Sequence, residues 1–86
     1  MKNARQQKAV SLKYDPALPA PFVTARAKGF LARRMVEIAE ESGIPVISTG
    51  QTAEDLFFLE PGEFIPEYLF AVVAEIFAFI YSVQES

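Results

Sequence analysis

No cysteine and no histidine occur in the 86 residues. The first absence removes disulfides, thiolate metal sites and cysteine nucleophiles together, and fits a reducing compartment as well as it fits many secreted domains. The second removes imidazole, the usual general base and the commonest metal ligand, so most hydrolytic and metal mechanisms lose their customary residues. Positive charge is missing from most of the chain. Lys2, Arg5, Lys8, Lys13, Arg26, Lys28, Arg33 and Arg34 are followed by no further cation. With a net charge of −3, nucleic acid is not expected as a partner. The basic first part reads either as a solvated surface or as a docking face. No signal peptide is expected, since the short polar N-terminus has no apolar h-region. The apolar last twenty residues do not make a membrane span, because Glu75 would sit near the bilayer centre at a cost of roughly 2.5–3.5 kcal/mol. A helix lying in the membrane surface is equally unattractive, its polar face being acidic rather than basic.

What is present suffices for one small folded domain. Hydrophobic residues make up 51% of the chain, with eight Phe and three Tyr, which is incompatible with disorder. Residues 1–7 read as a flexible polar arm and residues 8–86 as the domain. Ala9-Val10-Ser11-Leu12-Lys13-Tyr14 alternates, placing Val10, Leu12 and Tyr14 on one side of a strand. A proline-punctuated connection over residues 15–21 follows, then a β-rich run, Phe22-Val23-Thr24-Ala25-Arg26-Ala27.

Gly29 opens a helix whose expected inner face is Leu31, Met35, Ile38 and Ala39, and Gly43 is expected to close it as a left-handed cap. Ile44-Pro45-Val46-Ile47-Ser48 reads as a third strand. Thr52 is placed to cap a short helix over residues 53–59, broken by Pro61-Gly62. The last helix begins near Pro66, which suits a first turn, and Glu67 complements its positive end. On that helix Leu69, Val72, Val73, Ile76, Ile80 and Val83 share a face. Tyr68 and Phe79 flank it on one side, and Phe70, Phe77 and Tyr81 on the other. The apolar arc spans roughly 220°, about twice what a surface helix needs to face a core, so one edge is available to a partner. The order β-β-α-β-α-α predicts an α/β fold, a small central sheet with helices packed on it and a right-handed crossover between parallel strands.

Chemistry-bearing clusters are weak. Glu37, Glu40 and Glu41 share a helix but nothing at matching spacing answers them, so they read as a solvated face, as do Glu54, Asp55 and Glu60. Lys28-Gly29 ahead of a helix falls short of a phosphate loop by several glycines. No nucleophile is paired with a base. The chain reads as no enzyme, with no cofactor and no metal.

Several stretches taken in order resemble the cytoplasmic C-terminal domain of the FlhB/YscU family, the substrate-specificity switch of flagellar and virulence type III secretion. These are Ala9-Val10-x-Leu12-Lys13-Tyr14-Asp15, Ala20-Pro21, Ala27-Lys28-Gly29, Ile38-Ala39-Glu40-Glu41-x-Gly43-Ile44-Pro45-Val46, Ile65-Pro66-Glu67-x-Leu69 and Val73-Ala74-Glu75-Ile76. Family members carry several transmembrane helices ahead of this domain, and none is read here. The family's autocleavage motif, Asn-Pro-Thr-His, falls where this chain has Ala4, Arg5, Gln6 and Gln7. Ala4 has no side-chain amide to cyclise, so the resemblance implies an uncut protein like the stand-alone FlhX-type homologues of the post-cleavage fragment. It implies partner-binding residues at Ala20, Pro21, Ala74 and Phe77, a small apolar patch receiving export substrates, with plain core as the alternative for Phe77. It further implies a cytoplasmic protein held at the inner face of the membrane through partners, namely the FlhB N-terminal part and an FlhA-type gate, as monomer or weak dimer. The rival reading is a structural, homo-oligomerising module unrelated to secretion that uses the wide helix face.

Overall fold

The computed structural model describes residues 7–85. The arm expected over residues 1–7, including Ala4, Arg5 and Gln6, lies outside the described residues except for Gln7, whose carbonyl accepts from Gly29 N at 2.8 Å. The side chain of Val83 lies outside them too.

Two antiparallel strands, β1 (Lys8–Lys13) and β2 (Phe22–Lys28), form a sheet with Lys8 opposite Lys28 and Lys13 opposite Phe22. The register slips between Ser11 and Leu12, where Ser11 and Thr24 join hydroxyls across the strands. Asp15 shapes the connection: its carbonyl accepts from Leu18 N at 2.8 Å and its Oδ1 from Ala17 N at 2.9 Å. Such a self-bonded turn is what Asp followed by Pro encourages.

An isolated two-stranded sheet is marginal in water, so helices must cover it. Helix α1 (Phe30–Glu41) follows β2 directly, and Gly29 at its start has φ 66° and ψ −135°, a conformation that L side chains avoid. Its end matches the expected cap. Gly43 has φ 72°, Gly43 N donates to Glu40 O at 3.2 Å, and Ile44 N donates to Ala39 O at 2.9 Å, the paired bonds of a Schellman motif. The buried face is rotated from the expected one. Ala32 is fully buried and Met35, Val36 and Ala39 are half-buried, while Leu31 and Ile38 are exposed. Val10 and Leu12 point to the main core, so alternation gives Ala9 and Ser11 to the other sheet face. A floor of such small residues, with Ala25 and Ala27 beside them, lets a helix settle on Ala32 rather than on a leucine.

The third strand is not formed. Residues 44–49 carry no strand pairing, and the sheet among the described residues holds β1 and β2 alone, so the parallel crossover is absent too. Ile44 N is already committed to the helix cap, and Pro45 has no N–H to offer a ladder. The segment that pairs with β2 comes from later in the chain. Val23 N donates to Glu63 O at 3.0 Å, Gly62 N to Val23 O at 2.6 Å and Ile65 N to Pro21 O at 3.0 Å, with an antiparallel bridge between Phe22 and Phe64.

Helix α2 (Gln51–Phe57) starts two residues earlier than expected. Gly50 takes the cap position, and Thr52 lies inside the first turn without capping it. Gln51 instead supports that turn through Nε2 to Asp55 Oδ1 at 2.9 Å. Pro66 is extended (φ −74°, ψ 159°) and caps a 3₁₀ turn, Glu67–Leu69, that runs into α3 (Phe70–Glu85). The main core gathers Ala20, Leu56, Ile65, Leu69 and Val73, with Val10, Leu12, Leu59, Val72 and Phe77 packed around it.

Arg26 locks α2 to the sheet. Its Nη1 donates to the Phe57 carbonyl at 2.6 Å, its Nη2 pairs with Glu60 at 3.1 Å, and its guanidinium lies 5.3 Å from the Phe57 ring centre. Lys8 makes a parallel tie, 2.6 Å from Glu54 and 5.6 Å from the same ring. These two cations are therefore structural.

Candidate functional site

The apolar arc of α3 is only partly used by the core. Leu69 and Val73 are buried, Val72, Ile76, Phe77 and Ile80 are half-buried, and Tyr68, Phe70, Phe79 and Tyr81 are exposed. The half-used flank is where the molecule opens a groove of about 400 Å³. Its floor is made of the buried residues Ala20, Ile65 and Val73, with Pro21 beside them. One wall is α3 itself, through Phe70, Ala74, Phe77, Ala78 and Tyr81, a spacing of four, three, one and three that keeps one strip of the helix facing the groove. The other wall is Tyr14 and Pro19.

Local sequence explains the construction. Tyr14 is the last residue of the alternating run in which Val10 and Leu12 face the core, so it leans over the same side as β1 ends. Its ring lies 5.9 Å from that of Phe77, tilted by 41°, and Phe77 lies 6.3 Å from Tyr81 in a stacked arrangement. A ladder of three aromatic rings therefore runs along the opening. The prolines keep residues 19–21 out of helix and ladder, and the bond from Ile65 N to Pro21 O ties that segment to the entry of α3.

All four residues singled out from the sequence line this groove. Ala20 is buried, Pro21 and Phe77 are half-buried, and Ala74 is exposed. Phe77 packs on the core and also lines the opening. Tyr14, Pro19, Ile65 and Ala78 belong to the groove and were not anticipated. For Tyr14 the period-two alternation was the available signal, whereas no local pattern points to Ile65. Every lining residue is aliphatic, aromatic or proline, so the groove can shelter apolar side chains but offers no acid, base or nucleophile beyond two tyrosine hydroxyls.

The remaining candidates are surface features. Arg34 lies 3.6 Å from Glu37 and 3.9 Å from Glu41, an exposed ion-pair cluster on α1. No group of three or more His, Cys, Asp or Glu among the described residues is placed to hold a metal ion. No helix among them is long and apolar enough to cross a membrane.

Comparison with known proteins gives a consistent result. Residues 6–80 match the model of the FlhB HrpN YscU SpaS Family. The chain is 40% identical over 81 residues to the uncharacterized protein YlqH of Bacillus subtilis, covering 93% of this chain and 87% of that protein. It is 40% identical over 74 residues to the flagellar biosynthetic protein FlhB of Aquifex aeolicus, covering 84% of this chain and 21% of that one. With FlhB of Escherichia coli it shares 35% over 78 residues, 88% of this chain and 20% of that protein. The chain thus spans about a fifth of the length of these FlhB relatives. Among solved structures, the PscU C-terminal domain superposes with a TM-score of 0.79 at 32% identity, covering 85% of this chain and 95% of that one. A mutated EscU/SpaS C-terminal domain superposes with a TM-score of 0.78 at 30% identity, covering 83% of this chain and 88% of that one.

Proposed function

The chain belongs to the FlhB HrpN YscU SpaS family, and on that premise we propose that it is a non-enzymatic component of flagellar-type (type III) export whose groove receives apolar segments of export substrates. Its sequence and fold are those of an FlhB C-terminal-like domain. Family membership favours this role over a structural module unrelated to secretion. In the proposed role the domain works at the inner face of the membrane, held by protein partners, namely the membrane part of FlhB and an FlhA-type gate. It acts in substrate specificity or docking, as a monomer or weak dimer, and resembles the fragment left by FlhB cleavage.

The observation that carries the proposal is the convergence of Ala20, Pro21, Ala74 and Phe77 on one open apolar groove. An exposed strip of aromatic and small apolar residues is unfavourable in water unless something covers it in use. The groove volume of about 400 Å³ falls in the range of concave ligand sites, room for a few apolar side chains rather than a flat protein surface.

The test is binding of flagellar export substrates to the purified chain, measured by pull-down and titration, with Ala74→Gln as the groove variant. Gln adds bulk and polarity on an exposed helix position without altering charge. A loss of substrate binding with an unchanged circular dichroism spectrum is expected. Binding that survives Ala74→Gln unchanged would take the groove out of the proposal.

A further inference from the structure

Apolar lining explains why a partner would enter the groove but not which apolar segment is chosen. We propose that the groove selects apolar segments flanked by lysine or arginine, a rule that rests on the substrate-binding reading above and adds a charge requirement to it.

The first observation is the sign of the charge around the opening. Glu67 precedes Phe70 by three residues and Glu75 precedes Ala78 by three, so both border the solvent side of the helix strip that forms one wall, without lining the groove. Asp15 follows Tyr14 but, like Lys13, alternates away from it; its Oδ1 turns back to accept from Ala17 N, and it does not line the groove. Glu67 and Glu75 are exposed, and among the described residues neither takes part in an ion pair.

The second observation is where the cations are. No lysine or arginine follows Arg34. Lys8 and Arg26 are occupied against α2 and the residues after it, and Arg34 faces Glu37 and Glu41. Lys13 lies next to Tyr14, but strand alternation turns it to the opposite side of the sheet from Leu12 and Tyr14. No charged residue of either sign lines the groove, so the charge along its α3 side is that of Glu67 and Glu75, which no cation among the described residues neutralises.

The same charges decide between occupants. A second copy docking through its own α3 would bring Glu67 and Glu75 against their counterparts, a like-charge arrangement that opposes pairing. A partner carrying cations meets no such opposition. Glu67, in the 3₁₀ turn, and Glu75, on α3, are eight positions apart, roughly 12–14 Å of helical rise, so the partner's cations belong on either side of a short apolar stretch.

Two synthetic peptides of equal apolar content, a Leu/Phe core flanked by Lys and Arg or by Glu, separate the possibilities in titrations with the intact chain. Two exposed charge pairs, each contributing about a factor of two, predict that the basic peptide binds about fourfold more tightly at low salt. At several hundred millimolar salt, where screening shortens the reach of exposed charges to a few ångström, the preference is expected to shrink to below about 1.5-fold. The neutralised variant Glu67→Gln, Glu75→Gln is expected to bind both peptides equally. Equal affinities for the unaltered protein, or a preference that persists in the neutralised variant, overturn the charge rule while leaving the groove reading in place, provided Ala74→Gln abolishes binding. Failure of both peptides to bind, or binding indifferent to Ala74→Gln, overturns the groove reading and the rule with it.

Discussion

Phe77 and Ala74 are three residues apart on one helix and line one groove, yet they should respond to substitution in opposite ways. Phe77 packs on the core and lies between the rings of Tyr14 and Tyr81, at 5.9 and 6.3 Å. Truncating a fully buried phenylalanine to alanine costs about 3–5 kcal/mol, and half-burial brings the expectation for Phe77→Ala to roughly 2 kcal/mol. In a domain of this size that lowers the thermal midpoint by roughly 10 °C. Ala74 is exposed, so Ala74→Gln loses only the difference in helix propensity, about 0.4 kcal/mol, or roughly 2–3 °C. The assay is thermal unfolding followed by circular dichroism, run beside the binding titration. The reasoning fails if Ala74→Gln destabilises as much as Phe77→Ala, for the groove would then be a closed seam. It also fails if Phe77→Ala leaves the midpoint unmoved. Binding data from Phe77 variants alone confound folding with recognition, which is why Ala74 is the better probe.

Other substitutions test the frame that holds the groove. Gly43→Ala meets no atom within 4 Å of the added Cβ, so its cost is conformational only, about 1–2 kcal/mol from φ 72°, read as a lowered urea midpoint with unchanged m-value. Arg26→Met keeps the stem but loses a charge-assisted bond to the Phe57 carbonyl, the Glu60 pair and the ring contact, for roughly 2–3 kcal/mol in the same measurement. Leu31→Gln should change stability by less than about 0.5 kcal/mol, whereas Ala32→Leu should cost about 1–3 kcal/mol, a reversal of what hydrophobicity alone suggests.

Much of this architecture was readable because its causes are local. The alternation of Val10, Leu12 and Tyr14 needs only strand geometry, and Gly43 followed by Ile44-Pro45 announces a cap because no other residue tolerates that backbone turn so cheaply. The wide arc on α3 was visible as a periodicity, and with it the flank of Phe70, Phe77 and Tyr81 that proved to line the groove. The misread elements depend on distant neighbours. Ile44-Pro45-Val46-Ile47 has the β-branched composition of a strand, but a strand exists only where another backbone accepts it, and at β2 that place is taken by residues 62–65. Helix periodicity points Leu31 inward, whereas Ala32 is the buried residue, because the small floor of the sheet that favours alanine is a property of paired strands rather than of the helix. Ala20 and Pro21 were paired with Ala74 and Phe77 by family resemblance alone. Their meeting in space depends on the hydrogen bond between Ile65 and Pro21, which no sequence pattern announces.

That bond has a consequence for how the domain can change over time. Because it fastens the bottom of the cleft main chain to main chain, that junction does not call on the side chains that decorate the sides. Lining residues such as Ala74, Ala78 or Tyr81 can be exchanged without touching the fastening, so the sides are free to diversify above a base that does not.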